Sequence, residues 1–377
     1  MKLGCDIVVI KRKRILLFLA VFIIIFFIVL FLSKSNSRYL KGDIVVWTEE
    51  RYYSYFVNIA KEFKESNKKV NIKVLKIDKN EYINKLLTTD EKDLPNVVQL
   101  NFVEIERLKN RIDLLEENKN IIETYKKNFS SSRIKEVEDD GKYYGVPFES
   151  KPIALYVRED ILNKYGYEIE DINIWSQLIN IGNDIKNKSS DEINLFSNKD
   201  KMNISILMLS QLVDKETYSK DKIINEINNI YKEDYVTEDN NYLFRIASLD
   251  FYDEIVKGSI KGRWECKNPP SFSVGENRLY DLGGKNLVAL NVEKNKEAIK
   301  EFIAYSATNK ELLSRELLEY EFFPSSLYSL KVKYEEKNKE NIEGTSPFLT
   351  LMNIVERAPS IRNFDVLKEM LLEIYGD

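Results

Sequence analysis

The chain contains no histidine, so the side chain that most often serves as a general base or a metal ligand is missing. Catalytic triads that depend on histidine are therefore excluded. Carboxylates are abundant and occur as neighbours, for example Glu49 with Glu50 and Asp139 with Asp140. Their spacing along the chain does not show whether two of them converge on one bond, as a glycosidase requires. With no glycine-rich phosphate loop and no clustered cysteines, the sequence predicts no catalytic residue, no metal site and no cofactor.

A second place where chemistry could occur is the polar turn in the segment GKYYGVPFESKPIALYVREDI, residues 141–161. Glycine and proline end the elements before it, and Phe148 to Lys151 have the composition of an exposed turn. The apolar run at 153–157 then predicts a strand that leads into a helix. Such a segment is either an ordinary surface turn or the place where the chain leaves one α/β unit and enters another.

The elements ahead of this turn alternate between strand and helix. Residues 43–47 predict a buried strand, residues 70–77 alternate as a strand does, and residues 94–102 predict a third strand. Apolar residues at helical spacing follow each of the three. The order β-α-β-α-β indicates a parallel sheet with helices on both faces, whose ligands bind at the carboxyl ends of the strands.

The chain after the turn has a mostly helical pattern. Residues 174–185, 203–213 and 222–231 each place an apolar residue every three or four positions. Residues 267–286 are the richest in turn formers, and residues 287–292 predict one more strand. We therefore predict a second passage between the two α/β units within 267–286.

Near the N-terminus, residues 15–32 carry no charge and as a helix would be about 27 Å long, close to the thickness of a bilayer core. We predict a single-pass transmembrane anchor. Residues 1–14 would stay in the cytosol because four consecutive cations end this segment, and residues 33–42 would link the anchor to an extracellular remainder. The alternative is a cleavable signal peptide, since Ser33 and Ser35 form a weak small-x-small cleavage pattern.

The part of the chain after the predicted anchor is acidic. Residues 42–377 hold 49 Lys and Arg against 60 Asp and Glu, a net charge of about −11. Such a surface does not suit a nucleic acid. Cys5 and Cys266 would lie on opposite sides of the membrane, so they do not form a disulfide within the chain.

Five segments resemble, in the same order, the extracellular solute-binding proteins of ABC importers, and among them the maltose/oligosaccharide-binding group (family 1). The most specific segment is similar to the family's hinge strand and the two helix starts that follow it, YGVPFESKPIALYVREDILNKYGYEIEDINIWSQL. The others resemble the opening strands, the third strand and its helix, the returning strand with its helix, and the final helix: DIVVWTEERYYSYFVNIAKEFKESNKKVNIKV, LPNVVQLNFVEIERLKNRIDLLEEN, GGKNLVALNVEKNKEAIKEFIAYSATNKELLSRELLEYEFFPSS and RAPSIRNFDVLKEMLLEI.

The resemblance implies a two-lobed, periplasmic-binding-protein-like (type II) α/β fold with hinge strands. Its first lobe would hold residues 43–147 and 283–335, and its second lobe residues 148–282 and 336–377. The lobes would close over a ligand by a hinge motion. The resemblance further implies a non-enzymatic protein that captures a small polar solute, expected to be an oligosaccharide, for an ABC permease in the membrane.

Candidate ligand-binding residues follow the first and third predicted strands and occupy the hinge turn. They are Glu49, Glu50, Arg51, Tyr52, Phe102, Phe148, Glu149, Ser150 and Lys151. The first four could instead form a charged helix N-terminus, where glutamate favours the helix dipole. Phe102 could belong to the core, and the hinge residues could be plain turn residues.

The resemblance adds four more positions. Trp264 and Phe364 resemble positions where the family places aromatic rings that stack on the flat C–H faces of sugars. Gly283 and Gly284 match the family's turn before the returning strand, where the backbone approaches the cleft. For both aromatic residues, packing in the core is the alternative.

Two further functions stay open. The same fold could be the ligand-sensing partner of a membrane sensor such as a histidine kinase, and the predicted anchor favours this because a tethered copy cannot diffuse between importers. A carboxylate-dependent glycan hydrolase is also possible, although the sequence has no recognisable acid and base pair.

Overall fold

The computed structural model describes residues 40–109, 117–190, 192–215, 219–290, 294–335 and 339–375. The segment Gly42–Asp377 forms one compact unit. Within the described ranges, no helix is both long and apolar enough to cross a membrane. The predicted anchor at 15–32 and the cytosolic segment 1–14 lie outside the described residues.

Short strands and helices alternate along the chain. The strands are β1 (Lys41–Thr48), β2 (Lys69–Lys76), β3 (Val97–Leu100), β4 (Glu138–Asp139), β5 (Lys142–Tyr143), β6 (Val146–Pro147), β7 (Glu149–Ser150), β8 (Ala154–Arg158), β9 (Asn194–Ser197), β10 (Val236–Thr237), β11 (Tyr242–Ala247), β12 (Trp264–Lys267), β13 (Asn286–Ala289), β14 (Phe323–Pro324) and β15 (Ile342–Glu343). The helices are α1 (Glu50–Ser66), α2 (Tyr82–Thr88), α3 (Phe102–Lys109), α4 (Lys119–Tyr125), α5 (Ser131–Val137), α6 (Glu159–Lys164), α7 (Trp175–Lys188), α8 (Lys201–Val213), α9 (Lys220–Ile230), α10 (Leu249–Val256), α11 (Lys296–Thr308), α12 (Lys310–Leu318), α13 (Pro347–Arg357) and α14 (Phe364–Tyr375).

The first lobe is built on a five-stranded sheet with the strand order β2-β1-β3-β13-β6. The predicted order β-α-β-α-β is confirmed by β1, α1, β2, α2 and β3. β3 is shorter than the predicted strand 94–102 because Pro95 has no amide N–H to donate and helix α3 already begins at Phe102. The expectation of a parallel sheet is wrong in one respect. β1 and β3 run parallel, but β13 enters from the other lobe and runs antiparallel to β3 and β6.

The second lobe is built on a six-stranded sheet with the order β10-β9-β11-β8-β12-β15. β8, which the run at 153–157 predicts, pairs antiparallel with both β11 and β12. The helices predicted at 174–185, 203–213 and 222–231 are confirmed as α7, α8 and α9.

The sequence analysis missed β9, β11 and β12. All six residues of β11 are buried, so this strand lacks the alternation of polar and apolar residues that marks a half-exposed strand.

In the described part of the chain, the backbone passes between the two sheets from β6 to β8, from β12 to β13, and from β14 towards β15. The two predicted passages, at the turn after Pro147 and within 267–286, are both present. Hydrogen bonds join the passages to one another, because β7 pairs antiparallel with β14 and Pro152 forms a β-bridge with Asp281. A hinge between the lobes would act at these few residues.

Each lobe has its own apolar core, and a further cluster joins the two lobes. In that cluster Phe102 of α3 packs together with Leu212 of α8 and with Phe364 and Leu367 of α14. The C-terminal helix α14 therefore lies against the first lobe as well as the second. The predicted lobe boundary assigns residues 336–377 to the second lobe alone.

Candidate ligand-binding site

A cavity of about 970 Å³ lies between the two lobes. Residues that follow β1, β2 and β3 line one wall, as expected for the carboxyl ends of the strands. The start of β13 lies at the same edge because this strand runs antiparallel to β3. The crossing at β7 lines the middle of the cavity, and the opposite wall comes from α8 and the start of α10, with Met202, Ile206, Ser248, Leu249 and Asp250.

The carboxylate of Glu149 in the crossing binds two residues at the start of α1. Arg51 Nη1 lies 2.9 Å from Glu149 Oε1, and the Tyr52 hydroxyl donates to Glu149 Oε2 at 2.6 Å. Burial alone would lower the pKa of Arg51, but Glu149, Tyr52, Asp250 and Glu321 together outweigh it and the pKa rises. Burial and Glu149 together raise the pKa of Tyr52, so its hydroxyl remains a hydrogen-bond donor at neutral pH. These bonds tie the hinge to the first lobe.

Lys285 is a buried cation between two carboxylates. Its Nζ lies 2.9 Å from Glu49 Oε1 and 2.9 Å from Glu104 Oε2. Burial alone would lower the pKa of Lys285, but the two carboxylates outweigh it and raise the pKa. The three residues lie at the ends of β1, β3 and β13, which are neighbours in the sheet. This ion cluster therefore holds the ends of the three strands together beneath the cavity.

Lys151 is a second cation in the cleft, and its surroundings differ. Its Nζ donates to Oδ1 of Asn203 on α8 at 2.8 Å. Among the residues that the structure describes, no carboxylate lies within ion-pair distance of this Nζ. Burial lowers the pKa of Lys151. Its backbone N–H donates to Asp281 Oδ1 at 2.8 Å, which fixes the crossing from which the side chain projects.

Behind the crossing lies the fully buried guanidinium of Arg133, on α5. Arg133 forms an ion pair with Glu136 and donates to Asn286 Oδ1 at 2.8 Å and to Ser325 Oγ at 3.3 Å. Ser325 Oγ in turn lies 3.1 Å from Ser150 Oγ. Because buried polar groups are costly when they lack partners, this network favours one arrangement of the three chain segments that meet here.

Gly284 allows two of the crossings to touch. Its φ is +146°, and a Cβ at this position would overlap the backbone carbonyl of Glu149. The amide N–H groups of Phe148 and Glu149 both donate to the Lys285 carbonyl oxygen, at 3.2 and 2.9 Å. Glycine is therefore required where the returning chain passes over the hinge turn.

Most of the predicted ligand-binding residues line the cavity, namely Glu49, Glu50, Arg51, Tyr52, Phe102, Glu149, Ser150, Lys151 and Gly284. These residues come from four separate parts of the sequence and meet at one edge of the first sheet. Contact with a ligand stays a prediction for each of them.

The other four predicted residues do not line the cavity. Phe148 is fully buried and packs against Phe322, because the hinge turn directs this ring into the first lobe. Trp264 is 1% exposed and packs in the second core, because β12 lies inside the sheet. Gly283 lies against the Phe102 ring, and Phe364 packs on that ring with 5.2 Å between the centroids. The alternative of core packing thus describes Trp264 and Phe364 better than a sugar-stacking role.

The aromatic residues that do line the cavity have little free surface. Tyr52, Phe102 and Phe323 are 2%, 6% and 1% exposed. Protein neighbours already cover them, since Tyr52 packs edge-on against Phe148 and Phe322. A ligand in the cavity would therefore meet little aromatic surface.

The residues of the cleft region that the sequence analysis missed include Lys285, Glu104, Asp250 and Asn203. Lys285 directly follows the paired glycines, and Glu104 lies within one helical turn of the end of β3, so extending the strand-end rule by a few residues would have found both. Asp250 follows β11, which had not been recognised as a strand. Asn203 lies in a helix with no neighbouring motif.

The donor set of the cleft suits a polar solute. Hydrogen-bond donors and acceptors of both charges surround the cavity, and the carboxylates of Glu49, Glu104 and Glu149 are already held by Lys285 and Arg51. Among the described residues, no group of three or more acidic or cysteine side chains is placed to hold a metal ion.

Comparison with known proteins agrees with this geometry. The family described as bacterial extracellular solute-binding protein matches residues 58–329. The lactose-binding protein of Rhizobium radiobacter is 37% identical over 73 residues, a stretch that covers 19% of this chain and only 17% of that protein.

Solved structures with low identity share the two-lobed α/β fold. The sugar-binding protein MalE from Xanthomonas citri has a TM-score of 0.68 at 17% identity, over 88% of this chain and 90% of that one. Maltose-bound MalE3 of T. maritima has a TM-score of 0.60 at 15% identity, over 86% of this chain and 92% of that one. Since the family match covers most of its length, the chain belongs to the bacterial extracellular solute-binding proteins.

Proposed function

We propose that this protein is anchored in the cell membrane, captures a small polar solute of the oligosaccharide class outside the cell, and delivers it to an ABC permease. The observation that carries the proposal is the cavity of about 970 Å³, which both lobes and the crossing between them line. A volume of this size suits a ligand of a few sugar rings.

Capture would proceed by closure of the lobes. A solute bound to Glu149 and Lys151 in the crossing and to Asp250 on the second lobe touches parts of the protein that move relative to one another. Such a ligand stabilises the closed state more than the open state, and this difference in affinity shifts the population towards closure. The permease would recognise the closed form.

The choice of a sugar rests on hydrogen-bonding chemistry and on the relatives. Sugar hydroxyls both donate and accept hydrogen bonds, and the cleft offers carboxylates, ammonium groups and the hydroxyls of Ser150 and Ser248. Proteins similar to this chain are described as sugar-binding, maltose-bound and lactose-binding. The uncharged segment 15–32 supports the membrane anchor.

Binding can be tested by thermal melting of the purified full chain, in a detergent without a sugar headgroup, against a panel of sugars, polyols and peptides. A ligand at a hundred times its dissociation constant stabilises the folded state by about 2.7 kcal/mol, which raises the melting temperature by a few degrees. Glu149→Gln should weaken the effect because it breaks the pair with Arg51, whereas Glu297→Gln, on an exposed part of α11, should not.

The outcomes separate the possible functions. A melting shift with sugars that Glu149→Gln reduces supports capture, and no shift with any solute would count against it. Release of a product from an oligosaccharide would favour a hydrolase. Recovery of a kinase rather than a permease after crosslinking in membranes would favour a sensor.

A further inference from the structure

Lys151 forms no ion pair with a carboxylate among the described residues. The carboxylates that act most strongly on its charge are Asp250 and Glu149, and the cations Arg51 and Lys79 oppose them. Glu149 is already paired with Arg51 at 2.9 Å, and Asp250 lies beyond ion-pair distance of Lys151.

Lys285 is a cation at the same cleft whose charge is balanced by two carboxylates. It lies between Glu49 and Glu104, each within 3 Å of its Nζ, and these carboxylates keep its charge despite burial. Within the described ranges, the hydrogen-bond acceptor of the Lys151 ammonium group is the neutral amide oxygen of Asn203 alone. An ammonium group has three N–H donors, so two of them remain for a partner in the cavity.

Closure of the lobes increases the free-energy cost of burying the Lys151 charge without a carboxylate partner. When the second lobe covers the cavity, Lys151 loses its remaining contact with water, and a buried charge without a counter-charge is strongly destabilising. A neutral sugar would supply hydrogen-bond acceptors but no charge. A solute with a carboxylate or phosphate would supply both, so it would favour closure more.

We propose that the cleft selects an acidic sugar, and that Lys151 binds the solute's carboxylate or phosphate while the other cleft residues bind its hydroxyls. The inference rests on the proposed function, because it assigns the charge of the solute that the same cleft captures. It also fits the lack of an exposed aromatic ring among the described lining residues, since charge recognition does not need a stacking surface.

The test compares matched probes by isothermal titration calorimetry on the full chain: galacturonate with galactose, digalacturonate with lactose, and glucose 6-phosphate with glucose. We expect an acidic probe to bind at least about 10-fold more tightly than its neutral partner. Lys151→Gln should weaken the acidic probe by about 30-fold or more and the neutral partner much less, so that the preference for the acidic probe is lost. Lys151→Arg should keep the preference, and Lys61→Gln, on the exposed face of α1, should leave both affinities unchanged.

Each outcome decides the question. Tighter binding of a uronate or of a sugar phosphate, lost in Lys151→Gln, supports the inference and tells which anion is bound. Equal or tighter binding of the neutral partners overturns the inference but leaves the proposed function in place. If no sugar of either kind binds, both fail. If Lys151→Gln does not fold, the ratio between acidic and neutral probes in the unchanged protein and in Lys151→Arg still decides.

Discussion

Gly284 and Gly141 both have a positive φ, but only at Gly284 would a side chain also collide with a neighbouring part of the backbone. Gly284 has a φ of +146° and the Glu149 carbonyl against it, whereas Gly141 has a φ of +73° and open space, with no atom within 4 Å of where a Cβ would lie. We expect Gly284→Ala to destabilise the fold by about 3 kcal/mol or more, because strain in the backbone adds to displacement of the hinge turn. Gly141→Ala should cost about 1 kcal/mol, from backbone strain alone.

Chemical denaturation and ligand titration would measure both effects. Gly284→Ala should also weaken solute binding, because moving Glu149 moves its bonds to the start of α1, whereas Gly141→Ala should bind normally. Equal losses of stability in the two variants would contradict the role given to the crossing contact.

A carboxyl group far from the cleft should make stability depend on pH. Glu316 on α12 is 5% exposed, and burial raises its pKa to about 7 although Arg315 lies beside it, with Glu319 and Glu321 adding to the rise. A raised pKa in the folded state means that folding takes up a proton, so the stability from this group is lost as the pH rises from 4.5 to 7. Glu316→Gln stays neutral and should gain about 1 to 3 kcal/mol over the unchanged protein at pH 8, and little at pH 5.

Urea denaturation at the two pH values would measure this difference. The chain has no histidine, so the side chain that normally titrates in this range does not obscure the effect. Glu311→Gln, on an exposed part of the same helix, is the matched control and should keep the pH dependence of the unchanged protein. An identical profile for both variants would show that Glu316 titrates normally.

At the scale of residues, the sequence predicted which residues line the cavity better than it predicted which side chains contact one another. Nine of the predicted residues line the cavity, because the rule that ligands bind at the carboxyl ends of strands depends on chain order alone. The pairing of Lys285 with Glu49 and Glu104 could not be predicted, since it joins turns from three separate parts of the chain. Whether an aromatic residue faces a cleft or a core also depends on its place in the sheet, which is why Trp264 was misplaced.

The element that joins the lobes most directly is helix α14. Lys368 on this helix lies 3.0 Å from Glu106 of α3 in the first lobe, while the backbone carbonyl of Val213 at the end of α8 accepts a hydrogen bond from Asn363 at 2.8 Å. Burial alone would lower the pKa of Lys368, but Glu106 and Asp365 outweigh it and raise the pKa. The helix thus links the two lobes through contacts other than the hinge strands.

Lys368→Gln should loosen this link. The change removes the ion pair with Glu106 and should cost about 2 kcal/mol of stability. It should also shift the ligand-free protein towards a more open arrangement, because the bond from Asn363 to the second lobe remains while this ion pair with the first lobe is lost. Small-angle scattering would show this as a larger radius of gyration. Lys61→Gln should match the unchanged protein, and if Lys368→Gln does so too, α14 does not restrain the lobes.

At the scale of elements, periodicity predicted many of the helices and the strands β1, β2, β3, β8 and β13, but no other strand of the second sheet. Strands β9, β11 and β12 are short and largely covered, so their sequences lack a period that distinguishes them from turns or helix ends. The position of α14 against both lobes depends on Phe102 and Lys368 meeting partners more than 200 residues away in sequence, which no local pattern records.

At the scale of the whole molecule, the proposed anchor can be tested by measuring whether the protein stays attached to the membrane. A full chain with an uncleaved helix at 15–32 should stay with the membrane fraction after washing with high salt and alkaline carbonate. A chain without residues 1–41 should be released by the same washes. Intact-mass measurement separates the alternatives, because a cleaved signal peptide would leave a protein that begins after Ser35.

The two-lobed arrangement itself could be predicted from the sequence, because the order of its segments resembles a known family.

The first sheet is assembled out of sequence order. Its strand β13 lies between β3 and β6, although residues 148–285 separate β6 from β13 along the chain. During synthesis the first lobe therefore has a gap at its centre until the entire intervening segment has been made, which takes on the order of ten seconds at typical rates of translation. For a protein exported before it folds, as the proposed anchor implies, such a delay would mean that the first sheet is still incomplete when export begins.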